Sequence, residues 1–337
     1  MERILTYAQA LREATEQEMQ KDASVIVMGI GVDDFKGTYG TTLGLKEKFG
    51  EGRVFDTPLS EEGMTGIAIG AALGGLRPIH VHIRMDFLML AMNQIVNLAA
   101  KMRYMYGGVV SVPLVIRAII GKSWGQGAQH SQGLHSFFMH VPGLRVVAPS
   151  TPYDAKGSLI QSIRDSNPVL FIEHRLLHFE RGPVPETSYT VPFGKARVLA
   201  PGKDVTLVGI SWMAVECLRA RELLLKEGIE AEVIDPVSLT PLDMETILES
   251  VSRTKNFLVV DTAWTSCGAS AEILARVAES VYAPEIKKMQ RLGFEPVTCP
   301  TAKNLENLFY PDAEKIALAV CSMLERKALS STKKVLE

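Results

Sequence analysis

Two doubly wound α/β domains in tandem are the architecture this sequence predicts, and three observations predict it. Short β-branched runs alternate with amphipathic stretches through the first half. The alternation fails from about 175 to 190, "RLLHFERGPVPETSYT", where proline and polar residues collect. A second block then repeats the alternation almost to the C-terminus. Such alternation argues for a parallel sheet with helices on both faces. The boundaries read 1–180 for the first domain and 190–337 for a smaller second one.

In the first domain, "SVIVMGI" (24–30), "RPIHVHI" (77–83), "VPLVIRA" (112–118), "LRVVAP" (144–149) and "PVLFIEH" (168–174) read as strands. Helices are expected near 7–20, 61–74, 87–106 and 152–166. The last opens on "STPYDAKG" (150–157). There Thr151 can cap, Pro152 suits the first turn and Asp154 complements the dipole. In the second domain, 204–210, 230–236 and 256–261 read as strands, with a last helix near 313–327.

Composition excludes several classes. The 337 residues are 47% hydrophobic and 22% charged, the balance of a soluble globular protein. A net charge of −2 gives no bulk field for nucleic acid or an anionic membrane. No apolar run nears the ~20 residues needed to span a bilayer. The N-terminal "MERILTYAQALREATEQEMQ" has no signal-peptide core, so a cytoplasmic protein is expected. The four cysteines, Cys217, Cys267, Cys299 and Cys321, are widely spaced with no CxxC, and read as reduced thiols. All seven histidines fall within the first 178 residues, so any imidazole chemistry belongs to the first domain.

Common nucleotide motifs do not fit. "MGIGVDDFKG" (28–37) has GxG after a strand but no third glycine, and its two aspartates would repel a pyrophosphate. There is no P-loop and no nucleophile elbow. His80 and His82 share one side of a strand; they could ligate a metal or be ordinary core histidines.

Two segments stand out. "LSEEGMTGIAIGAALGGLRP" (59–78) places Gly66, Gly70 and Gly74 on one helical face, at ~1 kcal/mol each relative to alanine. That face suits either close packing within the domain or a helix crossing at a subunit interface. Ser60 is expected to cap this helix. Glu61 and Glu62 then fall in its first turn, where an acid either complements the dipole or handles a proton. The second segment, 124–159, crowds glycine, glutamine, serine and histidine between two strands. His130, flanked by Gln129, Ser131 and Gln132, lies in a polar loop where open α/β sheets place ligands.

The strings "FGEGRVFDTPLSEEGMTGIAIGAALGGLRPI", "GAQHSQ", "VPGLRVVAPSTPYDAKG" and "IRDSNPVLFIEH" carry a resemblance that runs nearly end to end, with looser matches at "RLGFEPV" and "LFYPDAEKI". The chain resembles the β subunit of the thiamine-diphosphate-dependent 2-oxo acid dehydrogenase first component, of the pyruvate, branched-chain oxo acid and acetoin type. The resemblance implies a pyrimidine-binding transketolase-like domain followed by a transketolase C-terminal-like domain. It implies that Glu61 hydrogen-bonds N1′ of the cofactor's aminopyrimidine and starts the proton exchange that activates C2. Phe87 would stack on the pyrimidine. His130 would serve substrate intermediates and the incoming lipoyl group, and the Gly66/Gly70/Gly74 face would meet another subunit. A monovalent cation, usually potassium, would be held by positions Leu114, Ser162, Ile163, Asp165 and Asn167, mostly through backbone carbonyls; a helix C-terminus closed by "DSNP" explains the same residues. The family's GDG…N site for diphosphate and magnesium is absent here and belongs to an α subunit. The implied assembly is two α and two β subunits docked on a lipoyl acyltransferase core. It would act on a small 2-oxo acid or acetoin, with no nucleic acid or membrane partner.

The sequence departs from its relatives in three places. Gly29-Ile30-Gly31 stands where "GED" is common, and Val81, followed by "HIRM", where glutamate of "E-I-Q-F" is common. Those acids belong to a proton path between the two cofactors of the assembly. Gly133-Leu134-His135 also replaces a segment where serine and glutamate are common. Two rivals follow: the β half of a split transketolase-like carboligase without a lipoyl acceptor, and a non-catalytic assembly subunit. "AQHSQ" speaks against the first; Glu61, Phe87 and His130 together speak against the second.

Overall fold

The computed structural model describes residues 3–122 and 125–326, which form two compact units. The first comprises residues 1–193 with Leu239–Pro241; the second comprises Gly194–Ser238 and the chain from Leu242.

The first unit is built on a seven-stranded sheet. Its order is Ser238–Thr240, Arg145–Val147, Val169–His174, Val115–Ile120, Arg77–His82, Val25–Gly29, Val54–Asp56. From Arg145–Val147 onward every pairing is parallel. The middle strands are buried throughout, which is why they read as continuous apolar runs rather than alternating ones. After Val25–Gly29 the chain goes outward to Val54–Asp56 and then crosses back to Arg77–His82. The strand order therefore reverses beside Val25–Gly29, and open α/β sheets leave a crevice at that point.

Helices cover the faces. Tyr7–Lys21 starts on a full capping box: Gln9 N donates to Thr6 Oγ1, and the Gln9 side chain accepts from Thr6 N. It buries Tyr7, Leu11 and Ala14 and packs on Pro152–Arg164, where Arg164 grips Glu18 through Nε and Nη2 at 2.8 and 2.5 Å. Fully burying a leucine such as Leu11 contributes roughly 1.5–3 kcal/mol. Thr151 caps Pro152–Arg164 as expected, accepting from Asp154 N at 3.0 Å.

Three expectations need correction. Ser60 precedes helix Glu61–Leu73 but makes no capping bond, because its backbone (φ −158°, ψ 79°) is not that of a cap. The expected helix 87–106 is a broken run from Met85 to Met105 with a π-helical turn at Gln94–Ala99. The stretch 175–190 holds a 3₁₀ turn, Arg175–Phe179, and a strand, Arg181–Pro183, paired antiparallel with Ile4–Thr6.

The second unit has a five-stranded sheet ordered Lys288–Phe294, Asn256–Trp264, Val205–Gly209, Ala231–Asp235, Arg197–Ala200, with only the last strand antiparallel. Asp243 caps Met244–Thr254, and Asp312 caps Ala313–Met323. The latter is the helix expected near 313–327, of which residue 327 lies outside the described residues. Cys217, Cys299 and Cys321 are buried thiols and Cys267 is exposed. Among the described residues no helix is long and apolar enough to cross a membrane.

Candidate active site

The reversal of strand order opens a cavity of about 350 Å³ in the first unit. Its wall is made at the carboxyl ends of parallel strands: Ile30 after Val25–Gly29, the segment Thr57–Glu61 after Val54–Asp56, and Ile83 and Arg84 after Arg77–His82. Phe87 and His130 complete it. The two rings meet edge to face, centroids 5.0 Å apart and planes at 76°. Glu61, Phe87 and His130, three residues far apart in sequence, thus share one cavity.

The two adjacent acids differ in engagement. Glu62 accepts from Gln94 Nε2 at 3.2 Å. Glu61 has no hydrogen bond or ion pair among the described residues, and its carboxylate lines the cavity half-buried. An unengaged acceptor beside an aromatic wall fits a flat, hydrogen-bonding heterocycle such as an aminopyrimidine. Among the described residues no group of three His, Cys, Asp or Glu side chains could hold a metal ion.

The cavity wall carries Ile30 and Val81. Gly29 allows the close approach: a Cβ there would meet Val81 O at 2.3 Å. His80 and His82 are buried with ring centroids 4.2 Å apart. Burial pushes His80 down to about 4 despite its contact with Met28 O, and pushes His82 lower as well, with His80 adding to the effect. Both are neutral imidazoles near neutral pH, and among the described residues no third ligand joins them to hold a metal.

Residues that the sequence did not signal support the cavity. Gln126 Oε1 accepts from Arg84 Nη2 and, at 2.6 Å, from Arg175 Nη1. Arg175 Nη2 donates to Tyr39 OH at 2.6 Å, and Tyr39 stacks on His178 with centroids 5.5 Å apart. His178 Nε2 lies 3.0 Å from Glu173 Oε2. Arg117 holds both Glu173 oxygens, at 2.6 and 2.8 Å. Burial alone would raise Glu173; Arg117 and His178 overcome it and bring the carboxyl down to about 2. On the loop side, Asp86 Oδ1 accepts from Gln132 N and Nε2, which ties the segment after His130 to the Phe87 turn. Apart from Glu173 and His178, which are 5 residues apart, these hydrogen-bonded partners lie 42 to 136 residues apart, so no local pattern marks them.

The glycine face looks away from the core. Helix Glu61–Leu73 buries Thr65, Ala68, Ile69 and Ala72. Gly70 and Gly74 are exposed, and a Cβ at Gly70 would meet nothing within 4 Å. At Gly66 it would reach only Gln94 Cγ, at 3.8 Å. The chain's own atoms leave the stripe uncovered, beside exposed Ile67 and Leu73.

The residues for a monovalent cation gather at the end of helix Pro152–Arg164, away from the cavity wall. Arg77 Nη1 already donates to Ile163 O and Asp165 O, at 2.8 and 3.1 Å. Leu114 O accepts from Val169 N and Ser162 O from Asp165 N. Asn167 N and Nδ2 donate to Asp165 Oδ1, and Arg145 Nε lies 3.1 Å from Asp165 Oδ2. Arg77 thus donates to two of the carbonyls at these positions, each of which keeps a second lone pair.

Comparison with known proteins places these features. The family "Transketolase, pyrimidine binding domain" matches residues 4–179, and "Transketolase, C-terminal domain" matches 194–316. The acetoin:2,6-dichlorophenolindophenol oxidoreductase subunit beta of Cupriavidus necator is 44% identical, covering 95% of this chain and 97% of its own length. The pyruvate dehydrogenase E1 component subunit beta of Porphyra purpurea is 42% identical, covering 96% and 98%. The Bacillus subtilis acetoin:2,6-dichlorophenolindophenol oxidoreductase subunit beta is 38% identical, covering 98% and 100%. A solved structure described as a split-gene transketolase, an inactive β4 tetramer, matches with a TM-score of 0.75 at 22% identity, covering 96% of this chain and 99% of that one. At that identity it shows the fold alone.

Proposed function

The chain belongs to the transketolase family, in the two-domain form of the pyruvate and acetoin dehydrogenase β subunits, and from that premise we propose how its own residues serve a thiamine-diphosphate reaction. It is an oxidoreductase subunit that supplies the pyrimidine half of an active site and works with an α partner. The observation that carries the reading is the unengaged Glu61 carboxylate on the same cavity wall as Phe87 and His130.

Thiamine diphosphate, when bound, would supply carbanion chemistry for a 2-oxo acid or acetoin. Glu61 holds and returns the proton at N1′ of its aminopyrimidine. Phe87 gives the ring an apolar face and excludes water from that side. His130, fixed edge-on against Phe87, hands protons to the reacting carbonyl oxygen and orients an incoming lipoyl dithiolane, as a general acid–base within reach of the cavity. The α subunit brings the GDG…N residues and magnesium, because this chain has no such segment. Two α and two β chains would join with the glycine stripe at a β-chain interface, and the acyl group would pass to a lipoyl acyltransferase core. We assign no step to potassium; two of the carbonyls that would hold it also accept from Arg77.

The rival carboligase reading rests on the departures at Ile30, Val81 and Gly133-Leu134-His135, and the 22% identical structure adds only the fold. The test is to co-purify this chain with the α protein encoded beside it and to assay a panel of 2-oxo acids and acetoin, with a lipoylated domain and with an artificial oxidant. Cofactor-dependent turnover of either class supports the reading. Ligation of two carbonyl compounds, with no acyl transfer, overturns it.

A further inference from the structure

The cavity contains a buried positive charge that has no counter-ion. Arg84 is 6% exposed and lines the same wall as Glu61, Phe87 and His130. Its Nη2 bonds a neutral amide oxygen, that of Gln126. Its Nη1 is buried and makes no hydrogen bond, and no ion pair to Arg84 forms among the described residues. Gln126 Oε1 is shared with Arg175, a second buried guanidinium, so the amide cannot turn to serve Arg84 alone. Asp86, two residues on, forms no ion pair with Arg84 among the described residues: its Oδ1 accepts from Gln132, its buried Oδ2 makes no hydrogen bond, and burial raises its pKa.

Burying a guanidinium without an opposite charge is costly, and proteins keep such an arrangement where an anion arrives from outside. The anion that suits it is planar and bidentate, since an arginine fork matches a carboxylate. The geometry points to Arg84 as the residue that binds the substrate carboxylate and so selects 2-oxo acids over neutral acyloins. This rests on the reading of the cavity given above. Gln126 and Arg175 aim the fork.

The consequence is kinetic. The substrate carboxylate keeps its charge while its carbonyl is attacked, so Arg84 holds it about equally in the bound substrate and in the transition state for that step. Uniform binding of that kind lowers KM and leaves kcat unchanged. Arg84 therefore governs KM rather than kcat.

The experiment compares the α/β assembly carrying parent chain, Arg84→Gln or Arg84→Lys, with pyruvate, 2-oxoisovalerate and acetoin as substrates. A lost charge-assisted contact lowers kcat/KM for the preferred 2-oxo acid about 10- to 100-fold more than for acetoin, mostly through KM. Arg84→Lys recovers part of that ratio. An equal loss on acetoin overturns the assignment and makes Arg84 structural. Weakened binding of thiamine diphosphate, with the substrate ratio unchanged, also overturns it and assigns the anion to the cofactor. If the parent assembly turns over neither class, the functional reading fails instead. The anion site is then read from melting of the assembly with acetate and propionate. A rise in the parent that Arg84→Gln lacks supports the site, and no rise in the parent overturns it.

Discussion

The imidazole of His130 stands edge-on to the ring of Phe87, centroids 5.0 Å apart. The contact packs the histidine against an aromatic ring, so its proton chemistry and its position can be separated by mutation. His130→Ala should spare cofactor binding and lower turnover on the order of 10²–10⁴-fold, more with a lipoylated acceptor than with an artificial oxidant. Phe87→Leu should weaken both cofactor binding and turnover. Equal lipoyl-dependent activity of His130→Ala and parent would reduce His130 to a loop residue.

Glu61 and Glu62 are adjacent but about 100° apart around their helix, as 3.6 residues per turn requires. Only Glu61 lines the cavity, while Glu62 is held by Gln94. Glu61→Gln should slow exchange of the cofactor C2 hydrogen for deuterium by orders of magnitude in an assembly that still forms. Glu62→Gln should stay within about 0.5 kcal/mol of the parent in stability and exchange at the parental rate. Loss of exchange in Glu62→Gln alone would put the assignment off by one residue.

Gly70 has open space where a side chain would stand. Gly70→Leu should therefore leave the isolated chain as stable as the parent, or stabler by up to ~1 kcal/mol from helix propensity. It should nevertheless block assembly, which sedimentation reads directly. Normal assembly of the mutant would show that the stripe faces solvent in the complex.

Arg77 makes the cation question testable. Melting of the parent should be the same in potassium as in choline chloride. Arg77→Met, which frees Ile163 O and Asp165 O, should cost about 1–3 kcal/mol and make stability respond to potassium. Stabilisation of the parent by millimolar potassium sinks the idea.

Acid should weaken the first unit well above the carboxylate range. His80 is neutral in the fold down to about 4, whereas in the unfolded chain it takes up a proton near its ordinary value of 6.5. Between those values the unfolded state binds more protons, so stability rises with pH and is lost as pH falls below 6.5. At pH 5, His80 alone should cost on the order of 2 kcal/mol. Buried His174, lowered to about 3, acts in the same direction. Glu173 adds a loss at lower pH: its folded value near 2 means its contribution is complete above 4.5 and falls away from 4.5 toward 2. Urea unfolding of the parent and His80→Gln at pH 7 and 5 separates these. An equal pH response in both proteins would remove His80 from the account.

The strands and their parallel pairing were legible because two-sided burial leaves long apolar runs, as in "VIRAII". Glu61 and His130 were legible because an acid at a helix start and a histidine in a polar loop are unusual locally. The direction of the glycine face was not, since periodicity names a face without saying what covers it. The failed cap at Ser60 turns on one backbone angle, and the π-turn at Gln94–Ala99 on one extra residue in a helical turn; neither leaves a trace in composition. Arg84 was invisible as a site residue because its meaning lies in what is missing around it, and a missing counter-ion can be seen only in three dimensions.

The pairing of Ile4–Thr6 with Arg181–Pro183 has a consequence for how the protein is made. The first strand emerges from the ribosome with its partner still untranslated. At bacterial and eukaryotic elongation rates the wait is roughly 10–40 s. During it, the apolar face of helix Tyr7–Lys21 has no Pro152–Arg164 to lie on, and the outer edge strand Ser238–Thr240 comes later still. Nascent chains of the first unit should therefore be chaperone clients until translation passes the 180s, and a truncation ending at residue 170 should be degraded or aggregate where one ending beyond 241 does not.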